Sequence, residues 1–177
     1  TVRESPLSDI SPLQNLKELH TLNLLEVKVK DLSPLQKLKK LKVLYIRSPV
    51  SNISPLKGLT GLRSLHLDDT RVRNLEPLKD LSQLMFLSLR RNPLHDLRPL
   101  QKLRKLRELY LGGSPVKDIG PLASLSGLQR LSLSRTKVRD ISALSKLPHL
   151  MVLYIDHCNI PKAQILALKK ANPDLKI

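Results

Sequence analysis

The chain has 177 residues, the size of one domain, and 41% of them are hydrophobic, which is enough to form a core. Because there is no Trp, one Phe and three Tyr, that core must be aliphatic and chiefly leucine. The net charge of +16 favours acidic partners, namely nucleic acid, an anionic membrane or an acidic protein surface, unless it serves only to solvate the exterior. No apolar run approaches the ~18 residues of a membrane-spanning helix.

The first residues, TVRESPLSD, show no signal-peptide pattern. Residues 1–8 contain the fragment SPL, which recurs along the chain, and we interpret them as the tail of an earlier, imperfect repeat or a linker. Nothing in them can cover the end of a stack of repeats, so we expect another domain or further repeats before Thr1. The single cysteine, Cys158, excludes an internal disulfide and favours a reducing compartment, which predicts a cytoplasmic, intracellular protein.

Residues 9–160 repeat one pattern seven times, at steps of 21 or 22 residues. Each copy begins with the fragment D-[IL]-x-P-L or a variant of it, at Asp9, Asp31, Asn52, Asn74, Asp96, Asp118 and Asp140. It continues as L-x-x-L-x-x-L-x-L, followed by a small or polar residue and then an aliphatic one.

The two leucine spacings predict two kinds of local structure. Leucines three apart match a 3₁₀ turn, in which residues i and i+3 eclipse, and Ser33 and Pro34 suit the cap and first position of such a turn. The closing L-x-L is a short strand whose leucines point inward. Strands of successive copies then pair in parallel as a concave sheet, with the 3₁₀ turns on the convex side, and bury leucines such as Leu65 and Leu109.

This pattern resembles the leucine-rich-repeat family in its 22-residue form, known from internalin-like proteins and from bacterial multidomain proteins with LSPL repeats. The resemblance implies an α/β repeat solenoid, a right-handed coil with a parallel concave sheet. The family's usual turn asparagine is present only once, which predicts a weaker ladder of side-chain hydrogen bonds; the column reads Val27, Ser48, Thr70, Asn92, Ser114, Thr136 and Cys158.

Residues 161–177 leave the pattern and predict a C-terminal cap. Pro161 can open a helix, residues 163–171 are good helix formers, and Ile165 and Leu168 share one face that can cover the leucine column. The closing DLKI predicts a final strand, and we expect the chain to end here naturally.

The outward strand positions predict a binding surface on the concave sheet. All four aromatic residues occupy these positions and none takes an inward one, although aromatic residues favour strands in general. Aromatic anchors flanked by arginine are enriched at protein interfaces. The predicted partner-binding residues are Val43, Tyr45, Arg47, His66, Phe86, Arg90, Tyr110, Arg130 and Tyr154.

A second set of residues supports a different function. Basic side chains flank the aliphatic turn residue and should line one edge of the coil, at Lys28, Lys30, Arg71, Arg73, Lys117, Lys137 and Arg139. Such an edge could bind nucleic acid or another anionic surface. Further basic residues lie on the convex wall, and this spread over several faces favours a role in solubility.

Catalytic and cofactor motifs are not found in the sequence: it has no Walker loop, HExxH, CxxC or GxSxG. The five histidines fall in different repeat columns, so we predict no metal and no cofactor. Asp68 and Asp69 are expected to form surface ion pairs with Arg47 and Arg90 of the flanking copies. The glycines of LGGSP are assigned a steric role, and Cys158 is predicted to be a small buried residue.

Together these features predict a non-catalytic module that recognises a partner protein, as the C-terminal sensing or docking part of a larger intracellular protein. Similarity to bacterial repeat proteins also implies a role in an NTPase-coupled sensor, or as a secreted effector that engages a host protein. The remaining alternatives are a binder of nucleic acid or anionic surfaces and a purely structural spacer.

Overall fold

The computed structural model describes residues 8–25 and 27–177. Within them, seven strands form one parallel sheet in chain order. Equivalent residues of successive repeats lie side by side, as Leu44, Leu65 and Leu87 do. The strands are β1 (Thr21–Leu25), β2 (Val43–Arg47), β3 (Ser64–His66), β4 (Phe86–Ser88), β5 (Glu108–Tyr110), β6 (Arg130–Ser132) and β7 (Val152–Tyr154). The predicted α/β solenoid with a parallel sheet is confirmed, and the outward side of this sheet is called the concave face below.

A 3₁₀ turn precedes each strand on the opposite side of the coil. The amide of Leu35 donates to the carbonyl of Leu32 at 2.9 Å, and the amides of Leu38 and Leu41 continue the series, so hydrogen bonds run from leucine to leucine. Every repeat shows this series, which accounts for the spacing of three. The turns are Ser11–Asn15, Ser33–Lys37, Ser54–Leu56, Glu76–Leu78, Arg98–Leu100, Gly120–Ser124 and Ser142–Lys146.

An acidic or amide side chain holds the start of each 3₁₀ turn. Asp31 Oδ1 accepts a hydrogen bond from the backbone N–H of Ser33 at 2.8 Å, and hydrogen bonds from Ser33 keep the pKa of Asp31 below its usual value. The prediction that Ser33 caps the turn is wrong, because Ser33 and Pro34 lie inside the turn and the carboxylate two residues earlier reaches the free amide. The same bond forms at Asp9, Asn52, Asn74, Asp96, Asp118 and Asp140.

The inward leucines, isoleucines and valines form one continuous core along the coil. Leu65 and Leu109, predicted to be buried, have no exposed surface. Among the described residues no aromatic side chain belongs to this buried core, so the interior is aliphatic as the composition predicts.

The turn column is buried from Val27 to Thr136, and its polar side chains make unequal numbers of hydrogen bonds. Asn92 Nδ2 donates to the carbonyls of Leu67, Leu89 and Arg90 at 2.7, 3.1 and 3.2 Å. Its Oδ1 accepts from the Val72 amide at 3.0 Å and from Thr70 Oγ1 at 2.5 Å. The hydroxyl of Ser114, by contrast, donates only to the Leu89 carbonyl at 3.3 Å. Both side chains therefore link two repeats, but asparagine makes five hydrogen bonds and serine makes one.

Cys158 ends this column and is less buried than predicted. Its thiol is partly exposed, donates to the Leu133 carbonyl at 3.0 Å and lies 3.6 Å from Thr136 Oγ1. The reason is its position in the last repeat, where only α1 and the chain after it follow.

The residue before the turn column adopts the left-handed conformation in five consecutive repeats. Its φ lies between 54° and 76° at Asp69, Arg91, Gly113, Arg135 and His157. Only one of these is glycine, so four repeats accept a cost of ~1 kcal/mol or more at this corner. The shared geometry turns the chain away from the sheet and presents this column of side chains at the sheet's exit edge.

The C-terminal helix α1 (Lys162–Ala171) packs against the last repeat. Leu168 is buried and Ile165 is half-buried against the core, while Gln164 Oε1 accepts a 2.8 Å hydrogen bond from the Ile141 amide. Beyond α1, Lys176 forms a single parallel bridge with Val152. The division into repeats 9–160 and a cap 161–177 stays a prediction, and the interpretation of residues 1–8 lies almost wholly outside the described residues.

Candidate functional site

Two outward columns run across the concave face, set by the register of the sheet. One contains Asn23, Tyr45, His66, Ser88, Tyr110, Ser132 and Tyr154; the other contains Thr21, Val43, Ser64, Phe86, Glu108, Arg130 and Val152. Since neighbouring strands are ~4.8 Å apart, side chains in a column stand at stacking distance.

Four side chains, Tyr45, His66, Phe86 and Tyr110, form a continuous stack that we call the aromatic ladder. The ring centroids of Tyr45 and His66 are 4.1 Å apart, those of His66 and Phe86 are 4.3 Å apart, and those of Phe86 and Tyr110 are 5.4 Å apart. All four side chains are only half-buried. The ladder therefore presents ring edges and faces to solvent from β2 to β5.

The ladder changes column at Phe86. Ser88 occupies the position between His66 and Tyr110, and its side chain carries no ring to continue the stack. Phe86, in the adjacent column, fills the gap diagonally, as long side chains on neighbouring strands can. Ser88 is 3% exposed although it points outward, and its hydroxyl donates to Asp68 Oδ1 at 2.5 Å.

The charged residues beside the ladder pair differently from the prediction. Asp69 binds Arg47 Nη2 at 2.9 Å and also binds Arg91 through Nε and Nη2. The predicted pair of Arg90 with an aspartate is wrong in part, because Asp68 accepts from the backbone amide of Arg90 and not from its guanidinium. That guanidinium instead lies over the Tyr110 ring, with Cζ 4.6 Å from the centroid, a cation–π contact.

Three ionisable groups on this face have shifted pKa values with clear causes. Burial between the neighbouring rings lowers the pKa of His66, helped by Arg90 and opposed by Asp68. Burial also raises the pKa of Tyr110, whose hydroxyl donates to Glu108 Oε2 at 2.7 Å. The hydrogen bond from Arg91 lowers the pKa of Asp69. At neutral pH the face therefore carries a neutral imidazole, a protonated phenol and an ionised Asp69.

An open cleft of about 490 Å³ follows the ladder at the C-terminal side of Tyr110. We call it the tyrosine cleft. Its walls are Tyr110 and Tyr154, its floor is made of small residues, and its rim is basic; the remaining lining residues are Gly112, Gly113, Ser132, Ser134, Arg90, Arg91 and Arg135. The glycines keep it open, since a Cβ on Gly113 would lie 2.9 Å from Arg91 Cγ.

The structure places seven of the nine predicted partner-binding residues in three groups and leaves Val43 and Arg130 outside them. Four of them form the aromatic ladder, Arg90 and Tyr154 join Tyr110 at the tyrosine cleft, and Arg47 pairs with Asp69. Val43 is half-buried beside Ser64, and Arg130 is exposed beside Glu108. Arg91, Arg135 and the two glycines also line the cleft; they lie in the column just after the strand, which extends the same face, but are not among the predicted partner-binding residues.

The basic edge is less continuous than a column of seven residues. All seven are exposed, but Lys117, Lys137 and Arg139 alone share one groove, which has a volume of about 700 Å³ and also contains Asp140 and His157. Lys28 and Lys30 are separated from Arg71 and Arg73 by the intervening second repeat, in which Pro49 and Ser51 hold the equivalent positions.

Comparison with known proteins agrees with this architecture. A family model for leucine-rich repeats, in two copies, matches residues 82–124. Internalin C2 of Listeria monocytogenes is 31% identical, over 87% of this chain and 69% of its own, with a TM-score of 0.79. The chain belongs to the leucine-rich-repeat family. Its repeats are of the internalin type, as the sequence pattern indicates, and the family typically serves as a scaffold for protein binding.

Two further solved structures extend the likeness. The internalin InlF of Listeria monocytogenes is 27% identical over 98% of this chain, with a TM-score of 0.83, and the chain spans 58% of its length. The plant peptide hormone receptor RGFR1, solved in complex with RGF2, is 15% identical over 90% of this chain and 32% of its own, with a TM-score of 0.70, and so shares the fold alone. No curated protein matches the chain.

Within residues 8–25 and 27–177, two structural features bear on other functions. In this part of the chain no three His, Cys, Asp or Glu side chains are grouped so as to hold a metal ion. No helix there has the length and apolar character needed to cross a membrane. The absence of a catalytic role and of a cofactor stays a prediction.

Proposed function

We propose that the chain is a protein-recognition module whose concave face binds a partner protein. The observation that carries this proposal is the aromatic ladder, a rigid stack of half-exposed rings continued by Arg90 over Tyr110. Aromatic and arginine side chains supply most of the hot spots at protein interfaces, and the parallel strands beneath hold them in fixed positions. Pre-stacked rings lose little side-chain entropy on binding.

In this proposal the repeats act as a sensor or docking part of a larger intracellular protein. The likeness to internalins supports a variant of it, in which the chain is a secreted bacterial effector that engages a host protein. Both variants use the same surface, and both need no catalytic residue in this chain.

A matched pair of triple variants tests the proposal. One replaces Tyr45, Phe86 and Tyr110 with Ser on the concave face; the other replaces Lys37, Lys102 and Lys146 with Ser on the convex turns. Each immobilised chain is incubated with lysate at fixed salt, and the retained proteins are compared. We expect the convex variant to retain what the wild type retains and the concave variant to lose it. Equal retention by the concave variant, with a native circular dichroism spectrum, would contradict the proposal.

The groove of Lys117, Lys137 and Arg139 supports a second candidate, binding of nucleic acid or another anionic surface. Salt dependence separates it from the first. Phosphate binding releases counterions, so each neutralised phosphate adds about 0.9 to the slope of log affinity against log salt. Replacing the three groove residues with Gln should lower that slope by about three for a duplex probe, whereas a slope unchanged by these substitutions argues against the edge.

A further inference from the structure

The fourth repeat (74–95) shows how this fold seats an aromatic side chain on its concave face. Ser88 lies between two larger outward side chains, His66 and Tyr110, which are two strand spacings apart. The Phe86 ring enters that slot, 4.3 Å from the His66 ring and 5.4 Å from the Tyr110 ring. A serine between two rings on alternate strands is therefore a receptacle for a third ring.

The sixth repeat (118–139) has the same receptacle without the same occupant. Ser132 lies between Tyr110 and Tyr154 in the same column and the same register. At the position equivalent to Phe86 stands Arg130, which is exposed. Ser132 is itself only 7% exposed, and the space beside it belongs to the tyrosine cleft, which both tyrosines line. This part of the concave face thus offers two ring walls and a small polar floor.

The charge around the tyrosine cleft favours an acidic group next to the inserted ring. The described residues that line it include Arg90, Arg91 and Arg135 and no acidic side chain, while Glu108 and Asp156 lie just outside it, where they accept hydrogen bonds from Tyr110 Oη at 2.7 Å and Ser134 Oγ at 3.0 Å. Arg91 is already paired with Asp69, whereas Arg135 donates its backbone amide to the Asp156 carbonyl and leaves its exposed guanidinium at the rim. An arginine fork at the rim suits a planar carboxylate.

We infer that the tyrosine cleft binds an aromatic side chain of a partner protein that is flanked in sequence by acidic residues. The ring would lie over Ser132 between Tyr110 and Tyr154, as Phe86 lies over Ser88, and the adjacent carboxylates would meet Arg90 and Arg135. This inference rests on the proposed concave-face recognition and names the chemistry of one of its contacts.

The test uses a capped peptide with one phenylalanine between two aspartates, titrated into the isotope-labelled full chain and followed by NMR. Substituting Arg130→Phe places a ring where the fourth repeat has one and closes the slot from within. Arg130→Ala removes the same charge and leaves the slot open, so the pair isolates occupancy of the slot. Tyr154→Ala removes one wall at a position that is 45% exposed, where the fold tolerates truncation.

We expect saturable shifts at the amides of Gly112, Ser132 and Tyr154, and about tenfold weaker binding for Arg130→Phe than for Arg130→Ala. Tyr154→Ala should weaken binding by a similar factor, and a peptide with alanine in place of phenylalanine should not bind. Replacing both aspartates with asparagine should weaken binding several-fold.

Three results would overturn the inference: equal binding by the two Arg130 variants, no saturable shift in the cleft, or shifts confined to the aromatic ladder. The last result leaves concave-face recognition intact, since a partner can bind the ladder alone. The opposite combination is saturable peptide binding in the cleft together with equal retention of lysate proteins by the concave triple variant. It would support the cleft as a binding site and contradict the proposed function.

Discussion

The fourth and sixth repeats have the same interior and different exteriors. Both place an aliphatic side chain at every inward position and bury all of them, with Leu75 and Leu94 of the fourth repeat matched by Ile119 and Val138 of the sixth. On the outside, Phe86 is replaced by Arg130, and in the turn column Asn92 is replaced by Thr136. The backbone register is unchanged between them. The repeats thus share one scaffold and differ at the surface. The side chains of the two outward columns decide whether the slot over a serine is filled or open.

The largest expected effect tests whether the interiors are equivalent. Leu87→Ala in the fourth repeat and Leu131→Ala in the sixth each remove a fully buried side chain from a packed column. Each should lower the free energy of unfolding by ~2–5 kcal/mol, and the two values should agree within about 1 kcal/mol. Urea unfolding followed by circular dichroism gives both. A large disagreement would mean that the exterior of a repeat changes the packing of its interior.

Substitutions in the turn column should lower the free energy of unfolding by different amounts in the two repeats. Asn92→Ala removes five hydrogen bonds and leaves the Leu67 carbonyl and the Val72 amide buried without that partner, for an expected loss of ~2–4 kcal/mol. Thr136→Ala removes a hydroxyl whose contact is the Cys158 thiol at 3.6 Å, and should cost ~1 kcal/mol or less. Equal losses, measured by the same unfolding experiment, would show that asparagine has no special place in this coil.

Substitutions at the outward positions of Phe86 and Arg130 should change the free energy of unfolding by less, and in opposite directions in the two repeats. Phe86→Ala opens the slot over Ser88 and removes ring contacts with His66 and Tyr110, which should cost ~1–2 kcal/mol. Arg130→Phe fills the slot over Ser132 and should raise stability by up to ~1 kcal/mol relative to Arg130→Ala. If Arg130→Phe is no more stable than Arg130→Ala, the two slots are not equivalent, and the slot over Ser132 is not a receptacle for a ring.

Much of the scaffold could be predicted because the leucine spacing and the repeat period determine it. Leucines three apart and then two apart specify a 3₁₀ turn and a strand, and seven copies in register specify how they stack. The outward position of Tyr45, Phe86, Tyr110 and Tyr154 followed from the same register.

The site was less predictable, because the position of a residue in a repeat column does not determine which of several possible partners its side chain contacts. Serine and aspartate both cap turns, and only the structure shows that Asp31 holds the Ser33 amide. Arg90 has an aspartate and a tyrosine within reach, and geometry selects the ring of Tyr110. Phe86 reaches across to the neighbouring column because Ser88 is small. The cleft is open because Gly112 and Gly113, which line it, have no side chains to fill it.

The smallest expected effect concerns pH and the aromatic ladder, which spans the second to fifth repeats and does not reach the sixth. His66 is stacked between Tyr45 and Phe86, with Ser64 Oγ 3.0 Å from Nε2 and with Asp68 and Arg90 as the nearby charges. Burial lowers its pKa below 6.5, so the folded state binds fewer protons than the unfolded state just below that pH. The stabilisation is present above pH 6.5 and is lost as the pH falls through the folded pKa.

His66→Phe keeps a ring in the ladder and removes the titration. We expect the wild type to lose more stability than this variant between pH 7 and pH 5, a window that lies above the titration of the Asp69 carboxylate, whose pKa is lowered from 3.8. The difference should be smaller than the effect of Phe86→Ala, and unfolding curves at the two pH values measure it. Equal losses of stability in the wild type and the variant would mean that the imidazole is as well solvated in the ladder as in the unfolded chain. The ladder would then be more accessible to solvent than its ring distances indicate.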